Sequence, residues 1–68
     1  MAQRFRITVR GRLSERFATR FPGLGREGGD RDTVLVGEFR DPVELDVLLG
    51  RFADCGLEVL GVEEVRRP

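Results

Sequence analysis

From Arg4 to Arg12 the chain alternates strictly, with Phe5, Ile7 and Val9 on one face and Arg4, Arg6, Thr8 and Arg10 on the other. A period of two marks a half-buried strand, so this stretch predicts the first strand. Leu13-Ser14 follows, with Ser14 placed to serve as an N-cap and Leu13 to pack against Ala18 as a hydrophobic staple. Leu13, Phe17 and Phe21 then recur at a spacing of four, which predicts a short helix ending at Phe21, because the residue before Pro22 avoids the α region. Residues 23–32 hold four glycines and one apolar side chain, Leu24. They read either as a flexible loop or, the preferred reading, as an edge strand around Leu24 to Glu27 with a glycine turn at Gly28-Gly29. Residues 33–39, Thr-Val-Leu-Val-Gly-Glu-Phe, are a β-branched run and predict the next strand.

The second helix carries the firmest signals. Asp41-Pro42-Val43-Glu44 combines an acidic N-cap, proline at the first helical position, and a glutamate three residues on to complete a capping box. Leu45, Leu48, Leu49 and Phe52 form its apolar stripe, and Gly56 after Cys55 supplies a left-handed residue to end it. The last strand is expected from Leu57 to Val65, with a bulge or bend near Gly61, where its alternation changes phase.

Strand, helix, strand, strand, helix, strand is the order of a ferredoxin-like βαββαβ fold, an α+β domain with two helices on one face of a four-stranded antiparallel sheet in the order 4-1-3-2. A chain of 68 residues makes one such domain, residues 1–68. Phe5, Ile7, Val9, Leu35, Phe39, Leu57 and Val59 would face the helices and meet Phe17, Phe21, Leu45, Leu48, Leu49 and Phe52. The segments Asp32-Thr33-Val34-Leu35-Val36-Gly37, Asp41-Pro42-Val43-Glu44-Leu45 and Cys55-Gly56-Leu57-Glu58-Val59 resemble a group of short, functionally uncharacterised actinobacterial proteins. The resemblance spans residues 32–65, rests on structural motifs, and implies a bacterial cytosolic domain of this fold with no active site to carry across.

The other sheet face is unusual for a solvated one. It would carry Thr8, Val34, Val36, Leu60 and Val62, ringed by Arg4, Arg6, Arg10, Glu38, Glu58 and Glu64. An apolar centre with an ionic surround reads as an interaction patch, and Arg6, Arg10, Thr8, Val34, Val36, Leu60 and Val62 are its candidate contact residues. The competing account keeps the valines for strand propensity and covers them with arginine stems.

Composition narrows the choices. Twelve basic and twelve acidic residues cancel, which leaves no net field for nucleic acid or an anionic membrane. Base stacking on such a sheet needs aromatic residues on the open face, and every phenylalanine is assigned to the inner face or a helix, so nucleic acid is a poor partner. The arginines are instead expected to pair with Glu38, Glu58 and Glu64. No segment is long enough to span a membrane, and the N-terminus lacks the apolar core of a secretion signal, so a cytoplasmic location is expected. Histidine, tyrosine, tryptophan and lysine are all absent, which removes the usual acid–base, metal and Schiff-base carriers together. No catalytic residue, metal or cofactor is expected. Cys55, the single cysteine, is read as a small buried packing residue at the end of its helix. The Gly-x-Gly at Gly23 opens no helix and is read as a turn rather than a nucleotide loop. Two functions remain in view. The first is a non-enzymatic module that forms a homodimer through its sheet or docks a protein partner. The alternative is an ACT-like domain that senses a metabolite between protomers, using the Gly11-Arg12-Leu13-Ser14 turn.

Overall fold

The computed structural model describes residues 2–14, 16, 20–21, 23–27 and 31–66. β1 (Gln3–Val9) is the alternating arginine strand and lies inside the sheet. β2 (Leu24–Glu27) and β3 (Thr33–Phe39) pair antiparallel, so the preferred hairpin reading holds for the strands, while its Gly28-Gly29 turn lies outside the described residues. α1 (Pro42–Asp54) leads to β4 (Val59–Val65), and the sheet order is β2-β3-β1-β4, the 4-1-3-2 order expected. β1 is antiparallel to both β3 and β4, which makes β3 and β4 parallel to each other. A parallel pair needs a crossover, and α1 supplies it.

The ferredoxin-like βαββαβ expectation is corrected. One helix, not two, stands beside the four strands among the described residues. The expected first helix, Ser14 to Phe21, falls largely outside those residues, including Phe17 and Ala18. Of that span Arg16 is described as helical, and the chain just ahead of it is bonded to the start of β3. The Leu13 N–H donates to Thr33 Oγ1 at 3.0 Å, Thr33 Oγ1 donates to the Gly11 carbonyl at 2.8 Å, and the Gly11 N–H donates to Asp32 Oδ1 at 3.0 Å. These bonds tie the exit of β1 to the start of β3. Leu13 is buried in the core with Ile7, Val9, Phe21, Leu35, Phe39 and Phe52.

Two edge-on ring pairs organise that core. Phe21 meets Phe52 at 4.8 Å between centroids, and Phe5 meets Phe39 at 6.0 Å. Arg51 Cζ lies 5.5 Å from the Phe21 centroid, a cation–π contact that caps the first pair. Leu45, Leu48 and Leu49 pack around it half-buried, and only Phe52 of α1 is fully enclosed. A Cβ at Gly37 would overlap Leu24 Cδ2, so a larger residue there would displace the end of that side chain.

Both ends of α1 follow their sequence signals. Asp41 is extended (φ −139°, ψ 137°) and its Oδ1 accepts from the Val43 N–H at 2.9 Å. Glu44 Oε2 accepts from the Arg40 N–H at 3.1 Å, one residue upstream of the expected capping-box donor. At the other end Gly56 has φ +80°, with Gly56 N–H donating to Ala53 O at 3.0 Å and Leu57 N–H to Phe52 O at 2.9 Å. That is the Schellman pattern. It extends past the expected start of the last strand, so β4 begins at Val59 rather than Leu57.

Candidate functional site

Residues directly opposite in an antiparallel ladder share a face, so the register assigns every side chain of the open face. Thr8 lies between Val34 and Gly61, and Arg6 lies between Val36 and Glu63. On β2, Gly25 faces Val36 and Glu27 faces Val34. Val9 pairs with Val59 and Thr8 with Gly61, which leaves Leu60 as the extra residue of a bulge beside the expected position. Thr8, Val34 and Val36 are half-buried, while Leu60 is 45% exposed.

The structure brings Thr8, Val34, Val36 and Arg6 together as expected, and departs from expectation at Val62. Val62 pairs with Ile7, which is fully buried in the core, so it belongs to the helix side of the sheet and is 40% exposed only because β4 is an edge. Glu64, opposite Phe5, moves to that side as well and pairs with Arg66 at 3.6 Å. The cause is the bulge at Leu60, which reverses the alternation between the two halves of the last strand. Arg10 lies beyond the end of β1, its backbone N–H on the Glu58 carbonyl and its guanidinium on Glu58 at 3.1 Å.

Arg6 dominates the electrostatics of the open face. Its Nη1 donates to Glu63 Oε1 at 2.8 Å and its Nε to Glu27 Oε2 at 3.1 Å. Glu27 is on β2 and Arg6 on β1, so this second bond crosses β3 above Val34 and Val36. The hydrogen bond to Glu63, then that to Glu27, raise the Arg6 pKa above its ordinary value and keep it charged. Arg4 meets Glu38 at 3.5 Å on the same face. The apolar centre is therefore roofed by an ionic row that runs from β2 across to β4. Glu27 and Glu63 are partners the sequence reading missed, since neither the short β2 nor the bulge that sets Glu63 beside Arg6 could be placed from periodicity alone.

The β4 edge is the more accessible feature. Five of its seven residues are exposed, with only Val59 and Val65 half-buried. The opposite edge, β2, has four residues. Outside the sheet, Val43 and Val47 are 63% and 57% exposed on α1. Cys55 is exposed, not buried as expected; it is the C-cap residue, at the end of α1.

Among the described residues there is no cluster of three or more cysteine, aspartate or glutamate side chains placed to hold a metal ion, and every buried side-chain polar atom has a partner. The turn offered to a metabolite by the sensing alternative uses its Gly11 N–H and carbonyl, and the Leu13 N–H, within the fold. The described part of the open face carries no aromatic side chain. No helix of the described residues is long and apolar enough to cross a membrane.

Comparison with known proteins adds a family. The family model described as Domain of unknown function (DUF8691) matches residues 4–63, a wider span than the segments that first suggested a resemblance. No curated protein and no solved structure matches the chain.

Proposed function

The chain belongs to this family of unknown function, and from that premise we propose that it is a small non-catalytic interaction module that pairs with a second copy of itself along its sheet, through the β4 edge rather than the open face. One observation carries the reading: β4 is an exposed seven-residue edge strand that presents Leu60 and Val62 at 45% and 40% exposure. An edge strand leaves one row of backbone N–H and C=O groups for another strand to pair with, and strand addition is a common mode of association. A domain of this size encloses little apolar surface, so a second copy adds stability that the monomer lacks. The open face is the weaker candidate, because covering it would strip water from the Arg6 row.

Without histidine, tyrosine, tryptophan or lysine the usual carriers of catalysis are missing, and we assign the module no reaction. Its twelve basic residues are all arginine, in keeping with the GC-rich genome of an actinobacterium, and we place it in the cytoplasm of such a cell. Light scattering at micromolar concentration should report twice the 7.7 kDa chain mass, and stability should rise with protein concentration. Val36→Asp, on the open face, should leave the dimer intact, whereas Leu60→Asp at the edge should yield monomer. A monodisperse monomer for the unaltered chain removes the proposal. A dimer dispersed by Val36→Asp and retained by Leu60→Asp moves the contact to the open face.

A further inference from the structure

The β4 edge also constrains how two copies meet. Resting on the self-pairing reading above, we infer that the two β4 strands join antiparallel in one register, with Val62 opposite Val62 of the second copy on the two-fold axis.

The argument is exclusion by charge and by face. A two-fold axis perpendicular to a continuous sheet keeps helix-side residues opposite helix-side residues, so each allowed register centres on one residue facing its own copy. Centring on Glu63 or on Glu64 sets that carboxylate directly against its twin. Centring on Gly61 sets Glu58 against Glu64 twice, once on each side of the axis. Like charges directly opposite are destabilising. Centring on Val62 creates no such pair: Gly61 faces Glu63 of the second copy, and Leu60 faces its Glu64. The glycine suits that place, because the space where its Cβ would stand is open for the Glu63 stem. The seam itself is apolar. Val62 shares the face of the buried Ile7, so two copies of Val62 would meet at the margin of the joined cores and bury the surface each exposes alone. Glu63 stays on the open face with Arg6, so the ionic row survives pairing. The acidic pair and the bulge at Leu60 are devices that prevent indiscriminate edge pairing. Centring on Val59, Leu60 or Val65 sets no carboxylates together but leaves at most three of the seven strand residues paired, so Val62, the middle of the strand, is the register that joins the two strands along their length without a carboxylate against its twin.

Cysteine cross-linking tests this in a Cys55→Ser background, since Cys55 is itself exposed. Residues directly opposite have Cα atoms about 4.5–5.5 Å apart, within the roughly 4.4–6.8 Å reach of a disulfide. Val62→Cys should therefore cross-link nearly completely under copper-phenanthroline oxidation. In the same register the two copies of residue 63 are offset by two residues, about 7 Å along the strands, which carries them beyond disulfide reach. Glu63→Cys should remain mostly uncross-linked. A dimer by light scattering in which Glu63→Cys links better than Val62→Cys, or in which neither links, overturns the register while the self-pairing reading stands. If both variants and the unaltered chain are monomers, self-pairing fails and the register fails with it.

Discussion

Thr33→Val isolates the clamp that joins the exit of β1 to β3. Thr33 is 2% exposed, and its hydroxyl accepts from Leu13 N–H at 3.0 Å while donating to Gly11 O at 2.8 Å. Valine has almost the same shape, so packing is kept while both bonds are lost. Leu13 is buried, so water replaces its lost acceptor poorly. An unsatisfied buried donor costs about 1–3 kcal/mol, and the partly exposed Gly11 carbonyl adds less. Burying a methyl in place of the hydroxyl returns less than about 0.8 kcal/mol, the value of one methylene. The net expectation is a loss of about 1–3 kcal/mol, large against the roughly 3–10 kcal/mol available to a domain of this size. Thr33→Ser removes the methyl and keeps both bonds, at a cost of about 1 kcal/mol. Urea unfolding at one fixed protein concentration, with the slope checked for constancy, should rank the chains wild type, Ser, Val in falling stability. A valine variant as stable as wild type would refute the clamp, and with it the account of why the chain after Gly11 is held to β3.

The other expectations concern α1 and the ionic row. Asp41→Ala should cost about 0.5–2 kcal/mol by loss of the cap on Val43, read from the denaturation midpoint, and an unchanged midpoint would show that the cap contributes nothing. Gly56→Ala forces an alanine to φ +80° and should cost about 1–2 kcal/mol, whereas Gly50→Ala, in the same helix with open space at its Cβ, should stabilise by up to about 1 kcal/mol. Cys55 should react with a thiol reagent in native buffer without a lag, and a lag removed only by denaturant would place it in the interior instead. Because Glu63 and Glu27 raise the Arg6 pKa, its contribution to stability is fully present below the ordinary arginine value and is lost only as pH climbs through the higher folded-state value. Melting followed from neutral pH to about pH 10 should therefore show no step that Arg6→Gln abolishes.

Local patterns were sufficient where a short run of residues contains its own physical cause. β1 and β3 announce themselves by alternation and β-branching, and both ends of α1 by Asp41-Pro42 and Gly56, because a strand face or a helix cap depends on residues within a few positions of each other. The sheet order and the bulge beside Gly61 were also legible, the first from the succession of elements and the second from a break in period. Tertiary structure decided what depends on distant partners. The Leu13 N–H is bonded to Thr33, twenty residues away in sequence, a tie between the exit of β1 and β3 that no local pattern records. Val62 and Glu64 changed face because the extra residue at Leu60 exists only relative to β1. Cys55 is exposed at the C-cap, where α1 ends and the chain returns to the core at Leu57. Arg6 acquired two carboxylates, Glu27 and Glu63, from strands 21 and 57 residues away. Which apolar positions are surface and which are core was thus settled by register, because one added residue in a strand exchanges the two faces of everything beyond it.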